Sequence, residues 1–268
     1  MAFLTLPGEL FDKQTEEYER YLPGYFSKLQ NADKKYPDAL ENQEYCDYSK
    51  YHEWAVRKLE YSFIIRGVEQ NIKKGDRLLE AGCGVSPLPF LWDKFGAKVD
   101  AIDLSPESIS LMERMQNDQF FGSKSKICFQ KGNVIKLPYE NETFDVVVST
   151  SVLEHLSFPD YYTALSEFWR VLKKNGILLF TCDIKAEADR KWTGEGAFSR
   201  YEIERMNQVL KAGLNREDYI VSESQIKQFW EAHYKDNIGY EGYRRYTALG
   251  MIVRKDNVSS KEILDAFL

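Results

Sequence analysis

The chain has 268 residues, 43% of them hydrophobic and 29% charged, with a formal net charge of −6. This composition suits one globular domain with extensions, large enough to bury a core without disulfide or metal staples. The acidic balance argues against a nucleic-acid partner, and the absence of a long apolar run or a basic, apolar leader argues against membrane insertion or export, so a cytoplasmic protein is expected.

Residues 1–73 are polar, aromatic and largely helical in pattern, and are expected to form an N-terminal lid or cap. Tyr51, Trp54, Lys58, Tyr61 and Ile65 follow one helix face. The stretch from Asn31 to Asn42 holds Pro37 and no steady period, and reads as a loop. From residue 74 onward, short apolar strands alternate with amphipathic segments. Leu78 and Leu79 lead a strand into Glu80, Gly82-Cys83-Gly84 makes a tight turn, and Pro87 to Phe95 reads as a helix. A second strand, Val99 to Ile102, ends at Asp103, and Ser105-Pro106 starts a helix reaching Asn117. Phe144 to Ser149 reads as a buried strand, Pro159 to Leu172 as an amphipathic helix, and Leu172 to Thr181 as a further strand.

The alternation predicts an α/β, Rossmann-like doubly wound, mostly parallel sheet over residues 74–268. Tyr246 to Lys255 is similar to the last strand of such sheets. Between them, residues 185–243 form an insertion with helical stretches near Ser199 to Ala212 and Ser222 to Tyr234. Ligands of such sheets bind beyond the carboxyl ends of the strands, so this insertion and the N-terminal segment are expected to enclose an acceptor. Cys46, Cys83, Cys128 and Cys182 are scattered without metal-ligand spacing, which predicts reduced thiols and no metal site.

A glycine turn after the first strand and a carboxylate after the second are the parts that hold a nucleoside. Asp103 lies nineteen positions past Gly84, close to the roughly 20 expected of a ribose-binding acid. Pro87 occupies the place of the third glycine of a dinucleotide fingerprint, which disfavours a pyrophosphate ligand.

The segment EAGCGVS resembles the first motif of class I S-adenosylmethionine-dependent methyltransferases, with Ser86 where the last glycine usually stands. QKGNVIKL, FDVVVS with STSVLEHL, and LKKNGILLFT resemble later segments of the same family in its order. The resemblance implies S-adenosylmethionine as cofactor, bound by Glu80, Gly82, Cys83, Gly84, Asp103, Leu104, Asn133, Val134 and Ser149. Asn133 takes the role usually given to an aspartate at the adenine amino group. From the cap, Arg57 and Tyr61 are expected to cover the donor, Arg57 meeting its carboxylate or pairing instead with Glu53 or Glu60.

His155 follows Glu154 just after the fourth strand, and is a candidate general base; bonding the backbone of its own turn is the alternative. His52 and His233 are weaker candidates. The reaction implied is metal-independent methyl transfer to a small-molecule or peptidic acceptor. O-methylation of a natural product or sugar leads, with N-methylation or carboxyl methylation of a peptide behind it. A catalytically silent S-adenosylmethionine-binding protein is the alternative of another class.

Overall fold

The computed structural model describes residues 13–29, 31–37, 55–122, 124–185, 196–220, 222–234 and 246–267. The described chain begins with α1 (Glu16–Tyr21), α2 (Pro23–Leu29), α3 (Ala32–Lys35) and the long α4 (Ala55–Asn71). Strands and helices then alternate through β1 (Arg77–Ala81), α5 (Leu88–Lys94), β2 (Lys98–Asp103), α6 (Pro106–Asn117), β3 (Cys128–Lys131) and β4 (Phe144–Thr150). A 3₁₀ turn (Leu153–His155) leads to α7 (Asp160–Val171), β5 (Leu172–Lys185), α8 (Arg200–Leu210), α9 (Glu223–Tyr234), β6 (Tyr246–Arg254) and α10 (Ser260–Phe267).

The six strands form one sheet in the order β3-β2-β1-β4-β5-β6. Pairs from β3 to β5 are parallel, and β6 closes the edge antiparallel to β5. The chain winds outward in one direction from β1 to β3 and then in the other from β4, so a crevice opens between the carboxyl ends of β1 and β4.

Because side chains alternate across a strand, the continuous apolar runs feed two cores at once. Leu78, Val99, Ala101, Val146, Val148 and Leu179 face α1, α2, α4, α5 and α6. Leu79, Ile102, Val147, Leu178 and Phe180 face α7, α8 and α10. Helix α4 bridges both: Ile64, Ile65 and Val68 belong to the first core, whereas Val56 and Leu59 in its first turn belong to the second. Its first turn therefore reaches past the carboxyl ends of the strands.

Three findings differ from the sequence reading. The segment read as a loop contains α3, fixed because Tyr36 buries its ring and donates its hydroxyl to Asp118 at 2.9 Å. Residues 13–37 share the core of one sheet face, with Phe26 stacking on Tyr61 at 5.9 Å between ring centroids. Helix α10 was not expected; it packs on α7, where Phe267 stacks on Tyr162 at 4.2 Å. Tyr45, Tyr48, Tyr51, His52 and Trp54 lie outside the described residues.

Helix α4 approaches β5 and β6 through two glycines. A Cβ on Gly67 would overlap the Leu179 side chain, and one on Gly250 would overlap the ring of Phe63. Overpacking of a filled core costs about 1–3 kcal/mol. Gly250→Ala is expected to lower the unfolding free energy by about that amount in a denaturant titration, and Phe63→Leu in the same chain to recover part of it.

Candidate active site

The crevice is built from the ends of β1 and β2. Where β1 stops, the N–H groups of Gly82 and Cys83 both donate to Ile102 O at 2.9 Å. The Gly84 N–H donates to Asp103 Oδ2 at 2.8 Å, and Ser105 N–H to Asp103 Oδ1 at 2.9 Å. Asp103 thus fastens the glycine turn to the start of α6, which Ser105 caps by accepting from Ser108 N–H at 3.0 Å. Each carboxylate oxygen retains lone-pair capacity for a further donor, as vicinal ribose hydroxyls require. Next to it Leu104 is 64% exposed, a large apolar side chain turned to solvent.

Glycine is required at the turn for two reasons. Gly82 adopts a φ of 80°, which side chains disfavour, and a Cβ there would lie 2.5 Å from Val152 Cγ2. Ser86, the departure from the family motif, is buried and accepts the Leu88 N–H at 3.2 Å, so its hydroxyl serves the first turn of α5.

Glu80 is 1% exposed and accepts the indole N–H of Trp92 on α5. Burial pushes its pKa up to about 8, against the lowering effect of that hydrogen bond. Cys83 is buried, which holds its thiol protonated and leaves its main chain as the working part. Ser149 is fully buried, its hydroxyl donating to Ala81 O at 3.0 Å and so joining β4 to β1 beneath the crevice. Gly132 N–H donates to Asp103 O at 2.9 Å, which brings the segment after β3 beside the same carboxylate. There Asn133 is exposed and its Oδ1 accepts the Ile135 N–H at 3.1 Å, while the Val134 side chain is packed in the core.

Above the crevice Arg57 pairs with Glu60 at 2.7 Å, and Thr181 donates to the other oxygen of Glu60 at 2.8 Å. Sequence reading offered this Glu60 pairing for Arg57 beside a contact with the donor. Glu154 is fully buried beside this group, accepting from the Ser151 hydroxyl at 2.6 Å, with its second oxygen unpartnered. Burial and the charge of Glu60 hold its carboxyl well above the usual carboxylate range. His155, the next residue, is exposed, and its N–H closes the turn onto Val152 O at 3.1 Å. Protein atoms crowding the accessible ring and the positive charge of Arg57 lower its imidazole pKa below the ordinary 6.5. The side chain of His233 lies outside the described set.

Sequence reading does not reach Trp92 or Thr181, and it names Glu60 only as a partner of Arg57. Trp92 reads as one more apolar residue of α5, and Glu60 and Thr181 are 121 positions apart, with no local pattern linking them.

With this geometry in view, comparison with known proteins is informative. Residues 79–180 match the family described as a methyltransferase domain. The chain is 32% identical to a demethylmenaquinone methyltransferase of Bacillus subtilis over 109 residues, 40% of this chain and 45% of that one. The chain spans under half the length of the curated relatives it matches. Among solved structures, a geranyl diphosphate methyltransferase in complex with SAM aligns at a TM-score of 0.56 and 16% identity, covering 82% of this chain and 94% of that one. The [4+2]-cyclase SpnF aligns at 0.53 and 21%, covering 74% and 82%. These two likenesses establish the Rossmann-like fold. Residues 79–180 are a methyltransferase domain of the class I, S-adenosylmethionine-dependent type.

Two substitutions test the crevice. Asp103→Ala is expected to weaken S-adenosylhomocysteine binding by roughly 1.5–3 kcal/mol in isothermal titration, the range for hydrogen bonds to a charged group. Gly82→Val is expected to be the more damaging of the turn variants, with Cys83→Ser close to wild type, because only the first puts a side chain against Val152.

Proposed function

We propose that this chain transfers a methyl group from S-adenosylmethionine to a small-molecule acceptor, with a hydroxyl of a natural product or sugar as the leading acceptor. The observation that carries the reading is the glycine turn fastened by Asp103 at the switch point of the sheet. Three features fit the donor: the spare acceptor capacity of Asp103, the turn without a side chain at Gly82, and the exposed Leu104 beside the ribose position. When bound, S-adenosylmethionine supplies a methyl group on a sulfonium, ready for in-line displacement. Asp103 would hold the ribose hydroxyls, Glu80 the methionine end, and Asn133 the adenine edge.

The acceptor region is proposed beyond the ends of β4 and β5. The insertion returns to β5 there, with Phe198 N–H donating to Asp183 O and Lys185 N–H to Phe198 O, each at 2.8 Å. A Cβ on Gly196 would lie 3.9 Å from His155 Nδ1, so this returning segment adjoins the candidate base. Phe158 and Tyr201, 59% and 56% exposed, add aromatic surface on α7's leading turn and on α8. Alignment of donor and acceptor supplies most of the acceleration. His155, neutral near pH 7 because its pKa is lowered, is suited to take the proton that a hydroxyl loses as it attacks.

One fold serves many reactions, as the cyclase shows, so turnover is the decisive test. A product heavier by one CH₂ unit, formed from S-adenosylmethionine in a cell extract and detected by mass spectrometry, is expected; donor binding without such a product would favour the silent cofactor-binding reading. With an acceptor in hand, His155→Ala is expected to cut the single-turnover rate by roughly 10²–10⁴ while donor affinity stays within a few-fold. The wild-type rate should rise with pH through a midpoint below 6.5 and then level off, because the deprotonated imidazole is the active form. A parallel loss of affinity and rate would make His155 a loop anchor, and little change in either would point to an amine or carboxylate acceptor.

A further inference from the structure

We infer that Trp92 is a positioning residue for the methyl donor: its indole N–H fixes one oxygen of Glu80 and presents the other to the donor's ammonium group. The inference rests on the donor reading above. Glu80 and Trp92 stand on opposite sides of the glycine loop, one at the end of β1 and the other on α5, and their hydrogen bond spans it. Trp92 is fully buried, so its N–H has no water to fall back on.

This bond is the single hydrogen bond to the Glu80 carboxylate among the described residues, and no Lys, Arg or His acts on its charge. The second oxygen is not among the sealed, unpartnered atoms of the interior. A carboxylate so placed lacks a cationic donor, and burial makes the lack costly. A primary ammonium arriving at the carboxyl end of β1 supplies both the charge and the N–H groups. The titratable neighbours of Glu80 are Tyr61 from α4 and Cys83 from the loop. Burial keeps both protonated through neutral pH, so neither supplies the missing charge. With its pKa pushed up to about 8, the unliganded carboxyl is largely protonated at pH 7, and binding an ammonium expels that proton.

The test compares S-adenosylhomocysteine with 5′-methylthioadenosine, which keeps the nucleoside and lacks the amino-acid end. Isothermal titration of wild type, Trp92→Phe and Glu80→Gln across about pH 6–8.5 brackets the Glu80 titration. Trp92→Phe, which keeps an apolar ring and removes the N–H, is expected to weaken S-adenosylhomocysteine by roughly 5- to 30-fold while 5′-methylthioadenosine stays within about twofold. Wild-type affinity for S-adenosylhomocysteine should rise with pH toward a plateau above the Glu80 midpoint. Trp92→Phe should move that rise to higher pH, and Glu80→Gln should abolish it. An equal loss on both ligands, unchanged S-adenosylhomocysteine affinity, or an unmoved midpoint would each overturn the inference.

Should Trp92→Phe fail to fold, ¹⁵N-indole NMR on the wild type decides. One indole resonance should move with pH, respond to S-adenosylhomocysteine but not to 5′-methylthioadenosine, and lose its pH dependence in Glu80→Gln. No such resonance would overturn the inference. A wild type that binds neither ligand would overturn the donor reading itself, and this inference with it.

Discussion

The structure depends on how the end of β1 is tied to the end of β2. Three successive N–H groups, those of Gly82, Cys83 and Gly84, find their acceptors on Ile102 and Asp103. A loop leaving a buried parallel strand has backbone donors that must be satisfied, and here the neighbouring strand provides the partners instead of water. The consequence is a turn of fixed shape whose open side faces the switch point. Asp103 is at once a structural acceptor and the group with capacity left for a ligand, so the stability of the turn and the affinity of the crevice share one carboxylate.

Much of this was legible in the sequence because the signals are local. Glycines with a following proline, an apolar run ending in an acid, and a Ser-Pro helix start each act within a few residues, and β1, α5, β2 and α6 fall where those signals put them. Helix α10 carries a local signal that the reading passed over, the reciprocal cap of Ser259 and Glu262 ahead of Ile263 and Phe267. What resists reading is long-range chemistry. The Thr181–Glu60 and Trp92–Glu80 bonds exist because the sheet and helices bring remote residues together, and no periodicity encodes that meeting.

Site residues divide along the same line. Those read from the glycine turn and Asp103 are adjacent in space because they are adjacent in motif. Ser149 and Val134, inferred by resemblance, have side chains committed to the scaffold, the first to Ala81 O and the second to the core. Ser86 shows why a motif position can change residue without losing its turn. Its hydroxyl accepts the first N–H of α5, so a specific hydrogen bond stands where glycine would give conformational freedom. The polar group around Glu154 shows the reverse case, a buried carboxylate whose role depends on Glu60, far away in the chain.

The last strand of the sheet also finishes a helix begun much earlier. Lys255, at the end of β6, is buried and directs its ammonium at Trp169 O and Leu172 O, 2.7 and 2.6 Å away, the carbonyls at the C-terminal end of α7. During synthesis, therefore, the outer edge of β5 and the end of α7 both stay incomplete until residues 246–255 have left the ribosome. A nascent chain stalled before that point presents an unpaired, apolar strand edge, the kind of surface that recruits chaperones or other nascent chains.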